Sequence, residues 1–257
     1  SIRVAITGLP GVGKSSLIEA VGLRAVDVGH RVAVLAIDPS SSLSGGSILG
    51  DKTRMQELGR SDDAYIRPSP TGGMLGGVAR CSRETVIVCE AAGYDVVLIE
   101  TVGVGQSETA ASDMTDIFIL MLLPGAGDEL QGMKRGIVEL ADVILINKAD
   151  GELTKRAAQT AADYLVALGT QQSAALNRTI TVKTCSMVDG SGVEEAWSLV
   201  GQLRAELEAS GDLVQRRFAQ SQSWMWSEIG VEKINLVKTH DKVRSILPAI
   251  ERDVAER

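Results

Sequence analysis

Lys14 and Ser15 close the run Gly8-Leu9-Pro10-Gly11-Val12-Gly13-Lys14-Ser15, a GxxxxGKS pattern. An ammonium, a hydroxyl and three glycines at that spacing suit a nucleoside triphosphate. The glycines let backbone N–H groups converge on the phosphates, the lysine reaches the β- and γ-phosphates, and the hydroxyl ligates Mg²⁺. The run follows the apolar stretch Val4-Ala5-Ile6-Thr7 and precedes Leu17-Ile18-Glu19-Ala20, which reads as a helix. A strand, such a loop and a helix in that order aim the positive end of a helix dipole at the phosphates. The expected phosphate contacts are Gly8, Gly11, Val12, Gly13, Lys14, Ser15 and Ser16.

Far downstream, Asn147-Lys148-Ala149-Asp150 closes another apolar run, Val143-Ile144-Leu145-Ile146. The carboxylate of an NKxD motif accepts from both N1–H and the 2-amino group of guanine. Adenine has no matching pair of donors and would leave that charge unpaired, which costs several kcal/mol. Guanine is therefore the predicted base, and GTP and GDP the ligands. A second base loop is expected at Ser186-Met187, whose backbone N–H would face the guanine carbonyl. Mg²⁺ needs hard oxygens beside the phosphates. Glu100 closes the run Val96-Val97-Leu98-Ile99, Asp38 closes Val34-Leu35-Ala36-Ile37, and Asp51 follows in a glycine-rich stretch. With Ser15, these three acids are the candidate metal ligands. Lys14, Glu100 and Gln106 are the candidate catalytic residues. Gln106, the candidate for orienting water, stands three residues beyond Gly103 rather than next to it.

Seven strands must position these groups: Ile2–Thr7, Arg31–Ile37, Ala64–Arg67, Asp95–Glu100, Asp116–Leu123, Asp142–Asn147 and Thr179–Thr184. Helices are expected near Ser15–Val28, Gly77–Ala92, Gly132–Leu140, Leu153–Leu168 and Gly192–Ala209. The alternation, with strands too apolar to face water on one side, predicts an α/β fold: a P-loop NTPase whose mainly parallel sheet is flanked by helices. Ligands of such sheets sit at the carboxyl ends of the strands. Residues 1–209 are expected to form the nucleotide domain and 210–257 a C-terminal helical arm. In that arm Trp224 and Trp226 flank Met225 on one helix, and Val243, Ile246, Leu247, Ile250 and Val254 form a later apolar stripe. Two uses are open for it: packing on the parent domain, or holding a second subunit.

Composition narrows the class. A net charge of −7 over 257 residues, without a basic cluster, argues against a nucleic-acid partner. No apolar run reaches membrane-spanning length, so no membrane partner is expected. Cys81, Cys89 and Cys185 are too scattered for a disulfide framework or a zinc site and read as buried thiols. The chain opens at Ser1 almost inside its first strand, and an upstream segment is expected to precede it. The cytosol is the expected compartment in a bacterium, and the mitochondrial matrix in a eukaryote.

Four stretches carry a family resemblance: Asp38-Pro39-Ser40-Ser41, Gly45 to Met55, Glu100-Thr101-Val102-Gly103-Val104-Gly105-Gln106-Ser107-Glu108, and Gly127-Asp128-Glu129-Leu130-Gln131-Gly132-Met133-Lys134. With Trp224-Met225-Trp226 they resemble the methylmalonyl-CoA mutase-associated GTPases, a family that includes the human methylmalonic aciduria type A protein. Some bacterial members bear the name lysine/arginine/ornithine transport ATPase. The resemblance implies a G protein that chaperones cobalamin, a metallochaperone: a homodimer, joined through its arms, that binds methylmalonyl-CoA mutase. GTP binding and hydrolysis would be coupled to loading of adenosylcobalamin from an adenosyltransferase and to removal of inactivated cofactor. It also implies a first switch over Asp38 to Asp51, a second over Glu100 to Gln106, and a partner-facing loop containing Asp128, Glu129, Gln131 and Lys134.

Rival classes are less well supplied. A transport-associated NTPase or kinase for basic amino acids is the runner-up. A small-molecule kinase needs an arginine-rich lid, and the region from Gly151 to Leu168 offers only Arg156. A nickel chaperone needs a Cys/His cluster, whereas His30 and His240 lie far apart in sequence. Leu9 stands where ATPases of the cell-division type carry a second lysine.

Overall fold

The computed structural model describes residues 1–37, 55–68, 75–101, 107–125, 135–171, 179–240 and 243–247. Each apolar run forms a strand: β1 (Ile2–Gly8), β2 (Val32–Ile37), β3 (Ala64–Pro68), β4 (Val96–Thr101), β5 (Ile117–Leu122), β6 (Val143–Ile146) and β7 (Thr181–Thr184). They make one parallel sheet in the order β3-β2-β4-β1-β5-β6-β7. The helices are α1 (Lys14–Asp27), α2 (Leu75–Ala91), α3 (Ser107–Ser112), α4 (Arg135–Leu140), α5 (Thr154–Gln171), α6 (Val193–Ser210) and α7 (Asp212–Thr239).

Every residue of β2, β4, β5 and β6 is buried, as expected for strands covered on both faces. The pleat divides the core in two. Ala5 joins one cluster with Val97, Phe118, Ile144 and the α5 residue Tyr164. Val4 and Ile6 join the other, with Leu17 and Ile18 of α1 and Val200 of α6. Met55 and Leu58, both fully buried, belong to this second cluster. Glu19 of α1 fixes that segment further by accepting from the Glu57 N–H at 2.9 Å. In this way α1 serves both as the floor of the glycine loop and as the anchor for the chain that re-enters the core at Met55.

The contacts group Ser1–Leu213 as one compact unit and Val214–Arg257 as another. Gly211, at φ +80, separates α6 from α7. Trp224, Met225 and Trp226 lie within α7, a single helix of 28 residues. The short α3 was not among the expected helices. Of the three thiols, Cys89 and Cys185 are buried as expected, whereas Cys81 is only half-buried. Cys81 lines a surface cavity rather than the core.

Candidate functional site

The glycine loop turns from β1 into α1, beside both sheet neighbours of β1. Gly8 pairs with Met121, and a Cβ on it would stand 2.4 Å from the Met121 carbonyl oxygen. Only glycine permits that approach. Gly13 precedes α1 at φ +103, and no side chain caps the helix. The first turn also contains no acid. The positive end of the helix dipole thus suits an anion from outside the chain. Lys14 is buried, and its Nζ donates to the carbonyls of Gly8 at 2.9 Å and Leu9 at 3.2 Å. Gly11 and Ser16 are exposed on the same loop and helix start.

The expected guanine motif leaves the carboxyl end of β6 on the same rim. Asn147 is buried, and its Nδ2 donates to the Val12 carbonyl at 2.7 Å. The same Nδ2 would lie 2.3 Å from a Cβ on Gly13, so this glycine is required by its neighbour as well as by its φ. The Cys185 thiol faces the other end of the amide, 3.8 Å from Asn147 Oδ1. Burial pushes that thiol up to about 12, so it stays protonated and donates. This fixes which way the amide points. Lys148 is exposed at φ +60, the left-handed region. Asp150 is half-buried, and its Oδ1 accepts from Ser186 Oγ at 2.6 Å. Ser186 Oγ in turn accepts from the Val188 N–H at 3.1 Å. The β7 loop is also tied to the motif through its backbone, where the Ala149 N–H donates to the Cys185 carbonyl at 3.0 Å. Met187, half-buried, brings its Cγ within 4.0 Å of the position a Gly13 Cβ would take.

On the other side of β1, Glu100 near the end of β4 accepts from Ser15 Oγ at 2.8 Å. Beside them, Thr101 Oγ1 donates to Thr7 Oγ1 at 2.7 Å, with both residues fully buried. That bond ties β4 to β1 just below the glycine loop. The phosphate loop, the expected guanine motif with its serine partner, and the acid of β4 therefore meet on one rim. Asp38, Asp51 and Gln106, and the partner-loop residues Asp128, Glu129, Gln131 and Lys134, lie outside the described residues.

The sequence profile described as methylmalonyl Co-A mutase-associated GTPase MeaB matches residues 1–242. The chain belongs to that family. It is 48% identical over 254 residues to the mitochondrial methylmalonic aciduria type A homolog of Mus musculus, covering 99% of this chain and 61% of the mouse protein. Over 235 residues it is 46% identical to the GTPase ArgK of Escherichia coli, covering 91% of this chain and 71% of that protein. A solved structure of a LAO/AO transport system kinase matches with a TM-score of 0.75 at 35% identity, over 98% of this chain and 76% of that one. HypB from Helicobacter pylori shares the fold, with a TM-score of 0.53 at 17% identity, over 79% and 87% of the two chains. Fold and family together make this chain a P-loop GTPase of the MeaB family.

Two contributors to this GTPase's site were not read from its sequence. Cys185 orients Asn147, and the Thr7–Thr101 bond joins β1 to β4. A signal existed for the second, since each threonine is a polar residue at the carboxyl end of a buried strand. For Cys185 there was none, because a buried thiol looks the same in sequence whether or not it donates to a neighbour.

Proposed function

We propose that this MeaB-family GTPase is a chaperone of an adenosylcobalamin-dependent mutase, methylmalonyl-CoA mutase or a close relative. The observation that carries the reading is the family match over residues 1–242, which extends through the partner-loop block and most of the arm. GTP-dependent loading of intact cofactor from a cobalamin adenosyltransferase and ejection of damaged cofactor would be its task. The same chemistry suits a bacterial cytosol or a mitochondrial matrix, and no helix among the described residues is long and apolar enough to cross a membrane.

For hydrolysis, the loop amides and Lys14 would bind the phosphates and stabilise the charge that develops on the γ-phosphoryl oxygens as water attacks in line. Lys14 must then exchange the Gly8 and Leu9 carbonyls for phosphate oxygens. The hydroxyl of Ser15 and the carboxylate of Glu100, 2.8 Å apart, are hard oxygen donors and fit Mg²⁺. Asp38 and Asp51 are the further donors proposed for it. When bound, the ion would offset negative charge on the β- and γ-phosphate oxygens. Gln106 is proposed to orient the attacking water. Asp150, held by Ser186, would accept from guanine, and Lys148 and Met187 would flank the base.

A homodimer is part of this reading. Val214, Phe218, Met225, Ile229 and Leu236 are exposed on α7 at spacings of four and seven residues, which places them along one helix face. A face of that kind suits a second copy better than water. Residues Asp128, Glu129, Gln131 and Lys134 are proposed to contact the mutase.

The test is single-turnover GTP hydrolysis with and without the mutase, alongside co-purification with a non-hydrolysable GTP analogue. A stable complex and turnover raised at least about tenfold are expected. An unchanged rate across a full titration, with no complex, would contradict the reading. It would shift weight to a transport-linked NTPase for basic amino acids, the alternative suggested by the name of the LAO/AO relative.

A further inference from the structure

Away from the nucleotide rim, β3 ends the sheet and pairs with β2 alone among the described strands. A cavity of about 500 Å³ opens between β3, α2 and the turn that leads into β4. Cavities of this size hold small organic ligands. Tyr65 and Tyr94 line it, their ring centroids 6.0 Å apart and their planes tilted by 41°. Val88, 65% exposed, and Ala92 extend the apolar wall along α2. Together these residues give the opening an apolar wall against which the body of a small ligand can pack.

The cavity also has a definite charge preference. Arg67 lines it and is half-buried. Its guanidinium donates to Thr85 Oγ1 and, at 3.8 Å, to Cys81 Sγ. Neither partner is a carboxylate, and among the described residues these two bonds engage only part of the five N–H donors of the guanidinium. Arg31 lies 4.6 Å from the centroid of Tyr94 but pairs with Asp63 at 3.9 Å, which leaves Arg67 as the cation of the lining. Glu84, the one acid of the lining among the described residues, is exposed and has an interaction of its own. A carboxylate would give Arg67 the forked, charge-assisted pair that these partners do not provide.

We propose that this cavity binds a small amphipathic monoanion, an aryl or acyl carboxylate. Its apolar body lies against Tyr65, Val88 and Tyr94, and its carboxylate pairs with Arg67. A narrower cavity shares Arg67, Cys81 and Thr85 and reaches Leu35 and Ala36 of β2. That narrow cavity has room for about one water, so the carboxylate stays on the side of Arg67 that faces the larger cavity. The site is separate from the guanine and phosphate contacts and does not depend on which partner the GTPase serves.

The test is calorimetric titration of the intact chain with 3-phenylpropionate and with its neutral amide. Arg67→Gln and Val88→Trp are compared with the native chain after thermal melting and GTP hydrolysis have shown both variants to be folded and active. The acid is expected to bind at least about tenfold more tightly than the amide. Arg67→Gln should abolish that preference while retaining weak binding of both compounds. Val88→Trp, which fills the cavity from an exposed position, should weaken both at least about tenfold. Equal binding of acid and amide to the native chain would overturn the proposal. So would saturable binding that Val88→Trp leaves unchanged, or no saturable binding of the acid up to about 10 mM.

Discussion

The two sides of the nucleotide rim are built differently. On the base side, Asn147, Asp150, Cys185 and Ser186 are wired to one another and to Val12 across β1, β6 and β7. The Asn147 bonds do not involve the Asp150 carboxylate, and Ser186 takes up one lone pair of Asp150 Oδ1, leaving Oδ2 and the second lone pair of Oδ1 for guanine. On the phosphate side, Lys14 donates to loop carbonyls and Ser15 donates to Glu100. Those contacts occupy the very groups that a triphosphate and its ion require. The base pocket is thus preorganised by bonds that persist, and the phosphate pocket is held by bonds that ligand must replace. Base choice should then be insensitive to the switch acids, while turnover should depend on exchanges at Lys14 and Ser15.

Perturbations on the two sides should separate these roles. The largest effect is expected from Lys14→Ala, which removes the cation aimed at the transferring phosphoryl group. Single-turnover hydrolysis should fall about 10²- to 10³-fold, with preference for guanine over adenine nucleotides retained. Loss of base preference in that variant would break the distinction between the sides. Gly13→Ala comes next, because it strikes their junction. An added Cβ at φ +103 would meet Asn147 Nδ2 at 2.3 Å and force the base motif away from the glycine loop. Strain of about 1–3 kcal/mol corresponds to GDP affinity lower by about 5- to 150-fold, measurable by fluorescent-nucleotide titration.

Ser186→Ala should act more gently and on one side only. Removal of the hydroxyl that holds Asp150 is expected to weaken GDP by about 1 kcal/mol, roughly fivefold, and to leave single-turnover hydrolysis of bound GTP unchanged. A last effect concerns pH and reads stability rather than nucleotide binding. Folding raises the Cys185 thiol from its ordinary value near 9 to about 12. The unfolded chain releases this proton first, so the contribution is complete below about pH 9 and is lost as the pH climbs toward 12. Thermal melting from pH 8 to 11 should show a decline in stability that Cys185→Ser reduces.

Much of this was legible in the sequence, for identifiable reasons. A buried parallel strand needs an unbroken apolar run, and all seven runs became strands. The phosphate and guanine motifs were legible because each depends on contiguous residues at a strand end. What the sequence hid was less local. Ser107–Ser112 forms α3 without an apolar stripe to mark it. The Asn147–Val12 bond spans 135 positions and is set by sheet order, which no local pattern encodes. Cys81 looked like a core thiol until the edge position of β3 left it beside a cavity.

Competition for bound GDP by GTP and ATP, with Mg²⁺ present, bears on whether guanine is chosen by Asp150 on a preassembled rim. GTP should displace GDP at concentrations at least about a hundredfold below those needed for ATP, and Asp150→Ala should collapse that gap. Equal displacement by ATP in the native chain would contradict the assignment of Asp150, and with it the division of the rim into a base side and a phosphate side.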